Sequence, residues 1–156
     1  MPTIDTFYAE CKQDLELLSS PLFAASEVFV RNRGAFLPHG AVLTSARELR
    51  IIVAAPDEFE QRAVSATEVL PLLHQALRMA ASEEGSIALA VAEDVTITPE
   101  GQKPTQAVKV LVEHQRGFAV AFYLPFRRKL LWGYVPGQLL VLPAEPEVRV
   151  WPSIAT

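Results

Sequence analysis

"AVKVLVEHQRGFAVAFYL", residues 107–124, decides the fold. Two alternating runs, 107–115 and 118–124, flank Arg116-Gly117, and a glycine between such runs predicts a tight hairpin. On the second run Phe118, Val120 and Phe122 share one face, while Ala119, Ala121 and Tyr123 share the other. A half-solvated strand alternates apolar with polar residues. This one is apolar on both sides, so both sides must be covered. Helices can cover one face. The C-terminal tail or a second subunit must then cover the other.

Upstream, Ile87–Thr98 alternates as well, with Ala88, Ala90 and Ala92 on one face and Leu89, Val91, Val95 and Ile97 on the other. That assignment allows for one irregularity at Glu93-Asp94. The small alanines predict close approach of a helix. Downstream, Tyr134–Gly137 reads as a turn and Leu139–Leu142 as a short strand. Residues 143–156 form a proline-punctuated tail in which Val148, Val150 and Trp151 can cover sheet surface.

The N-terminal half supplies the helices. Phe7, Cys11, Leu15 and Leu18 recur at steps of four, four and three, which predicts a helix over 3–19. Thr3 or Asp5 can cap it, and Ser19-Ser20-Pro21 reads as its stop. Residues 28–37 alternate like a strand. Ala41–Leu43 and Leu49–Ala55 then form a hairpin across a turn at Thr44–Glu48, followed by a polar loop from Pro56 to Ser65. A second helix begins near Thr67 or Pro71 and runs to Glu84, with Leu70, Leu73, Leu77 and Ala80 or Ala81 as its apolar face and Gly85 as its stop.

The element order is therefore α-β-β-α-β-β-β in a single domain over 1–156. No βαβ alternation repeats. This predicts an α+β fold: a largely antiparallel sheet of five to six strands with two helices packed on one face. The order resembles that of profilin-like, roadblock and longin domains, a likeness that carries no function.

Half of the residues are hydrophobic, 21% are charged, and the mean hydropathy is +0.21. Such an apolar surplus predicts a subunit interface, hence a homodimer with room for a protein partner. The net charge of -4 argues against a nucleic-acid binder, which needs local positive charge on its face. No run approaches the ~20 apolar residues of a membrane span. A lone cysteine, Cys11, permits no intramolecular disulfide, and the N-terminus has no apolar signal core. The expected compartment is the cytoplasm.

The chemistry-bearing residues form no motif. His39, His74 and His114 lack metal-ligand spacing, and no phosphate loop, dinucleotide fingerprint or nucleophile elbow occurs. Neighbouring strand residues such as Glu93 and Asp94 point to opposite faces, so they do not make an acid–base pair. We expect no catalytic residue, no metal and no cofactor. Two segments do echo each other: Phe36-Leu37-Pro38-His39 and Tyr123-Leu124-Pro125-Phe126. If the two prolines meet in space, Phe36, His39, Tyr123, Phe126, Arg127, Arg128 and Lys129 form one aromatic, basic site for an anionic ligand. Arg31 and Arg33 would extend it from the 28–37 strand. The plainer reading is a charged strand end that pairs with Glu113, Glu48 or Asp94 and guards a sheet edge.

Gly34, Phe36, Pro38, His39, Gly40 and Leu43, followed by Phe122 or Tyr123, then Pro125, Phe126, Arg127, Arg128 and Lys129, carry a pair of short motifs. In these the chain resembles small bacterial α+β proteins of unknown function with G-x-F-x-P and F-x-P-aromatic-R-[RK]-K strand ends. The resemblance covers roughly 28–132 and implies a bacterial source. It brings no activity or site residue. The function expected is a non-catalytic contact or adaptor domain acting as a homodimer. The alternative is an anionic-ligand-binding protein or enzyme using Phe36, His39, Phe126 and Arg127.

Overall fold

A computed structural model describes residues 3–54, 65–83, 85–127 and 135–152, apart from the side chains of Ile4, Phe7 and Arg33. The expected loop from Pro56, the turn residue Tyr134 and the cations Arg128 and Lys129 lie outside the described residues, as does the Phe7 end of the first apolar stripe.

Helix α1 spans Ile4–Arg33. Thr3 caps it, its hydroxyl accepting the Thr6 N–H, and Gly34 closes it at φ 81 with its own N–H on the Val30 carbonyl. The expected stop at Ser19-Ser20-Pro21 and the expected strand over 28–37 are both replaced by continuous helix. The reason is the apolar line. Cys11, Leu15, Leu18 and Leu22 continue through Ser26 to Val30, at steps of four, three, four, four and four, and all are buried. Ser26 stays dry by donating its hydroxyl to the Leu22 carbonyl at 2.7 Å. Pro21 removes one helical hydrogen bond, a loss of about 3 kcal/mol that burial along two further turns offsets. Val28 and Val30 separate the two readings. A strand would put both on one face, yet Val28 is 55% exposed and Val30 is 0% exposed.

Strands β1 (His39–Thr44) and β2 (Leu49–Ile52) form the expected hairpin. Helix α2 (Ala66–Glu83) starts at the Ser65 capping box, where the Ser65 hydroxyl accepts the Glu68 N–H at 3.3 Å. Pro71 therefore sits in the second turn, and Val69, Leu73, Leu77 and Ala81 are its buried face. Strands β3 (Ser86–Ile97), β4 (Thr105–His114) and β5 (Phe118–Arg127) follow. The tight turn at Arg116-Gly117 is present, with Gly117 at φ 91 donating to the His114 carbonyl. The β3–β4 register runs unbroken through Glu93 and Asp94, so the expected irregularity there is absent. In place of the expected turn over 134–137, the short β6 (Val135–Pro136) pairs with Phe126 and Arg127. Strand β7 (Leu140–Ala144) then pairs with the other end of β5.

The sheet is antiparallel throughout, in the order β2-β1-β3-β4-β5, with β6 and β7 sharing the far side of β5. The helices do not share a face, contrary to the expectation. Helix α1 packs on Ala41, Ala88, Ala90, Ala92, Val110, Phe118 and Phe122, while α2 packs on Val42, Leu89 and Val91 of the opposite face. Period-2 alternation places successive residues on opposite sides, and here both sets are apolar, so each side needs a cover. The alanine face receives α1, as its small side chains predict.

Helix α2 packs chiefly on β1, β2 and β3. The C-terminal segment covers what remains. The buried Glu113 carboxylate accepts the N–H groups of Glu147, Val148 and Arg149 at 3.0, 2.8 and 2.8 Å. Arg78 on α2 holds the Val148 carbonyl at 2.8 Å, and Val148 is fully buried in the α2 cluster. Arg149, at φ 65, supplies the curl that converges the three N–H groups on one carboxylate.

Two substitutions test this packing. A Cβ added at Gly40 would lie 2.6 Å from the Ala90 carbonyl and 3.1 Å from Leu77. Gly40→Ala is expected to lower unfolding stability by about 1–3 kcal/mol in urea titrations. Glu113→Ala strands three amide donors and should cost about 3 kcal/mol, with faster hydrogen exchange at 147–149 than elsewhere.

Candidate functional site

The expected aromatic and basic site is divided among three places. His39 registers with Ala92, Ala92 with Val110, and Val110 with Phe122, so two strands separate β1 from β5. Pro38 and Pro125 lie toward the same end of the sheet, but three strand spacings, roughly 14 Å, keep them apart. His39 and Phe36 pack together beneath α1, with ring centroids 5.4 Å apart, and Phe29 closes the other side of the imidazole at 5.8 Å. Tyr123 faces the α2 side. Phe126 is buried under α1, and Arg127 projects from the end of β5 as an exposed cation. Arg31 is drawn to Glu27 on its own helix at 2.8 Å.

His39 and His114 are held by their partners. His39 Nδ1 lies 3.2 Å from the Leu37 carbonyl, which only accepts, so Nδ1 carries the proton. His114 Nδ1 accepts the Arg116 N–H and its Nε2 donates to Asp14 at 3.1 Å. Asp14 also takes Arg47 at 2.8 Å, and Arg116 pairs with Glu10. This cluster ties α1 to the β1–β2 and β4–β5 turns. Cys11 lies 3.9 Å from Arg116, but burial pushes its thiol up, away from the reactive thiolate. Glu93 and Asp94 do point to opposite faces. Glu93 lies 3.9 Å from Lys109, and Asp94 accepts from Gln106 at 2.8 Å. Among the described residues no group of three His, Cys, Asp or Glu side chains is placed to hold a metal.

Two clefts are formed by the described residues. The smaller, ≈ 620 Å³, lies between α2, β4, β5 and the C-terminal segment. Its charge is balanced, because Lys109 pairs with Glu147 at 3.3 Å. His74 lines it with a buried Nε2 that has no hydrogen-bond partner. The larger, ≈ 910 Å³, lies where β4 begins and β5 ends, between the 99–104 loop and β6. Arg127 lines this second cleft together with Lys103, Gln102 and Gln138. Lys103 carries no local sequence signal. It reaches Arg127 because the β4–β5 register pairs Ala107 with Pro125 and so brings the strand ends together.

No protein-family model matches the chain, and neither the curated proteins nor the solved structures contain a match. No helix among the described residues is long and apolar enough to cross a membrane.

The histidines set the acid limb of stability. Burial lowers the pKa of His39, His74 and His114 below the ordinary 6.5. The unfolded chain then binds protons that the native state refuses. Stability is full above about pH 6.5 and is lost as pH falls toward the native values. Glu93, raised by burial, acts in the opposite sense nearer its ordinary 4.5. Urea midpoints should therefore decline from pH 7.5 to 5.5, and His39→Phe should flatten that decline.

Proposed function

We propose that this chain is a non-catalytic, cytoplasmic protein-contact domain that works as a homodimer, two copies meeting along β7. The observation that carries the reading is the β7 edge. Leu139, Leu140, Val141 and Leu142 are 44, 38, 40 and 50% exposed in an unbroken row. Residues 135–144 contain no charge. On a chain of net charge -4, an uncharged edge is the one that can meet its own copy without repulsion. The other edge, β2, also exposes Ile51, but there Arg50 and Glu48 flank it.

The backbone favours the same pairing. Gly137 donates to the Pro125 carbonyl, so odd-numbered β5 residues direct their amide groups toward β6 and β7. Their partners Leu140, Leu142 and Ala144 are thereby used, and Val141 and Pro143 face outward. Pro143 has no N–H to leave unpaired. A two-fold axis at Val141 exchanges two hydrogen bonds between the copies and sets Leu140 against the partner's Leu142. Adaptor roles, in which such a dimer presents its outer surfaces to another protein, fit this architecture.

Light scattering or native mass spectrometry should give twice the 17.2 kDa chain mass. Val141→Lys should restore the single-chain mass with an unchanged circular dichroism spectrum. A wild-type chain that remains monomeric at the highest attainable concentration overturns the reading.

A further inference from the structure

Most cations among the described side chains are spoken for. Lys12, Arg31, Arg47, Lys109 and Arg116 each face a carboxylate, and Arg78 holds a backbone carbonyl. Lys103 and Arg127 have no anionic partner among the described residues, and both line the ≈ 910 Å³ cleft. Among the described residues no carboxylate lines that cleft with them. Acids outnumber bases by 18 to 14 in the sequence, so an acid-free cleft around two unpaired cations departs from the composition of the rest. We propose that this cleft binds a small organic anion, a carboxylate or phosphate carried on an apolar body.

The walls specify the body and the cations specify the charge. Pro99, Pro104, Pro125 and Pro136 line the cleft from four separate positions of the backbone. Proline rings are apolar and already fixed in conformation, so little side-chain entropy is lost when a ligand is clasped between them. The Arg127 guanidinium offers the planar donor pair that fits a carboxylate or phosphate, and Lys103 adds a mobile point charge. The Gln102 and Gln138 amides supply neutral hydrogen bonds at the same rim. Among the described residues the lining holds no histidine, cysteine or carboxylate to act as base or nucleophile, so the site is assigned to binding.

The test is a titration of the isotopically labelled full chain, followed by amide chemical shifts. The probes are phenyl phosphate, benzoate, inorganic phosphate and benzyl alcohol. Saturable shifts are expected at Gln102, Thr105, Arg127 and Gly137 with at least one of the two aryl anions, and the stronger of them identifies the headgroup. Arg127→Gln and Lys103→Gln should each weaken that binding by about tenfold or more. Both side chains are exposed, so the amide spectrum away from the cleft should not change. Benzyl alcohol should bind at least about tenfold more weakly, having lost the charge-assisted bonds. The proposal is overturned if neither aryl anion shifts those amides, or if the two variants bind as the wild type does. It also fails if inorganic phosphate alone binds as well as phenyl phosphate, because the apolar walls would then contribute nothing.

Discussion

A sheet that is apolar on both faces cannot leave either face in water, and most of this architecture follows from that constraint. Burial is worth about 25 cal/mol per Å² of apolar surface, so an uncovered face across β3, β4 and β5 would forfeit several kcal/mol. Helix α1 covers one side across β1, β3, β4 and β5. Helix α2 covers chiefly the β1–β3 part of the other. The remainder, Leu111, Ala119 and Ala121, falls to the chain that returns from β7. A strap without secondary structure has amide groups that need partners, and a buried carboxylate that meets three of them answers both needs. Glu113 thus converts a loop into a third layer.

Much of the sheet was legible in the sequence because strand alternation and turn residues are local signals. The hairpin at Gly117, the strands on either side of it and the covering role of Val148 are read within a dozen residues. The length of α1 was not. Ser19-Ser20-Pro21 is a stop by local chemistry, and Val28–Val30 alternates by coincidence. Only the burial of Leu22 and Val30 against a distant sheet overrides both. The side taken by each helix was equally hidden, since two apolar faces look alike in sequence. For the site, Arg127 stood out as a cation beside aromatic residues, but Lys103 becomes its neighbour only through strand register. Phe36 and His39, drawn into the same site by a repeated proline, belong to the core beneath α1.

Charge is distributed to match. The buried polar groups are spent on holding elements together: Asp14 links α1 to two turns, and Gln106 joins Asp94 to the Gly34 carbonyl at the end of α1. At one end of the sheet a strand end, a loop and a short edge ladder enclose Lys103 and Arg127, which have no anionic partner among the described residues. The neutral β7 edge borders that region, with Leu140 belonging to both the edge strand and the cleft.

Between the last residue of β7 and the first amide held by Glu113 there are only two residues, Glu145 and Pro146. The edge strand and the strap are therefore one mechanical member. A pull on β7 in the plane of the sheet is borne first by its ladder with β5, then by the Glu113 clasp, and finally by Arg78 and α2. Bonds loaded side by side along a strand resist shear together, whereas bonds at a frayed end would open one at a time. The C-terminal segment acts as a tie-rod across the domain, and whatever seats on the exposed edge is anchored to the helix on the sheet's α2 face.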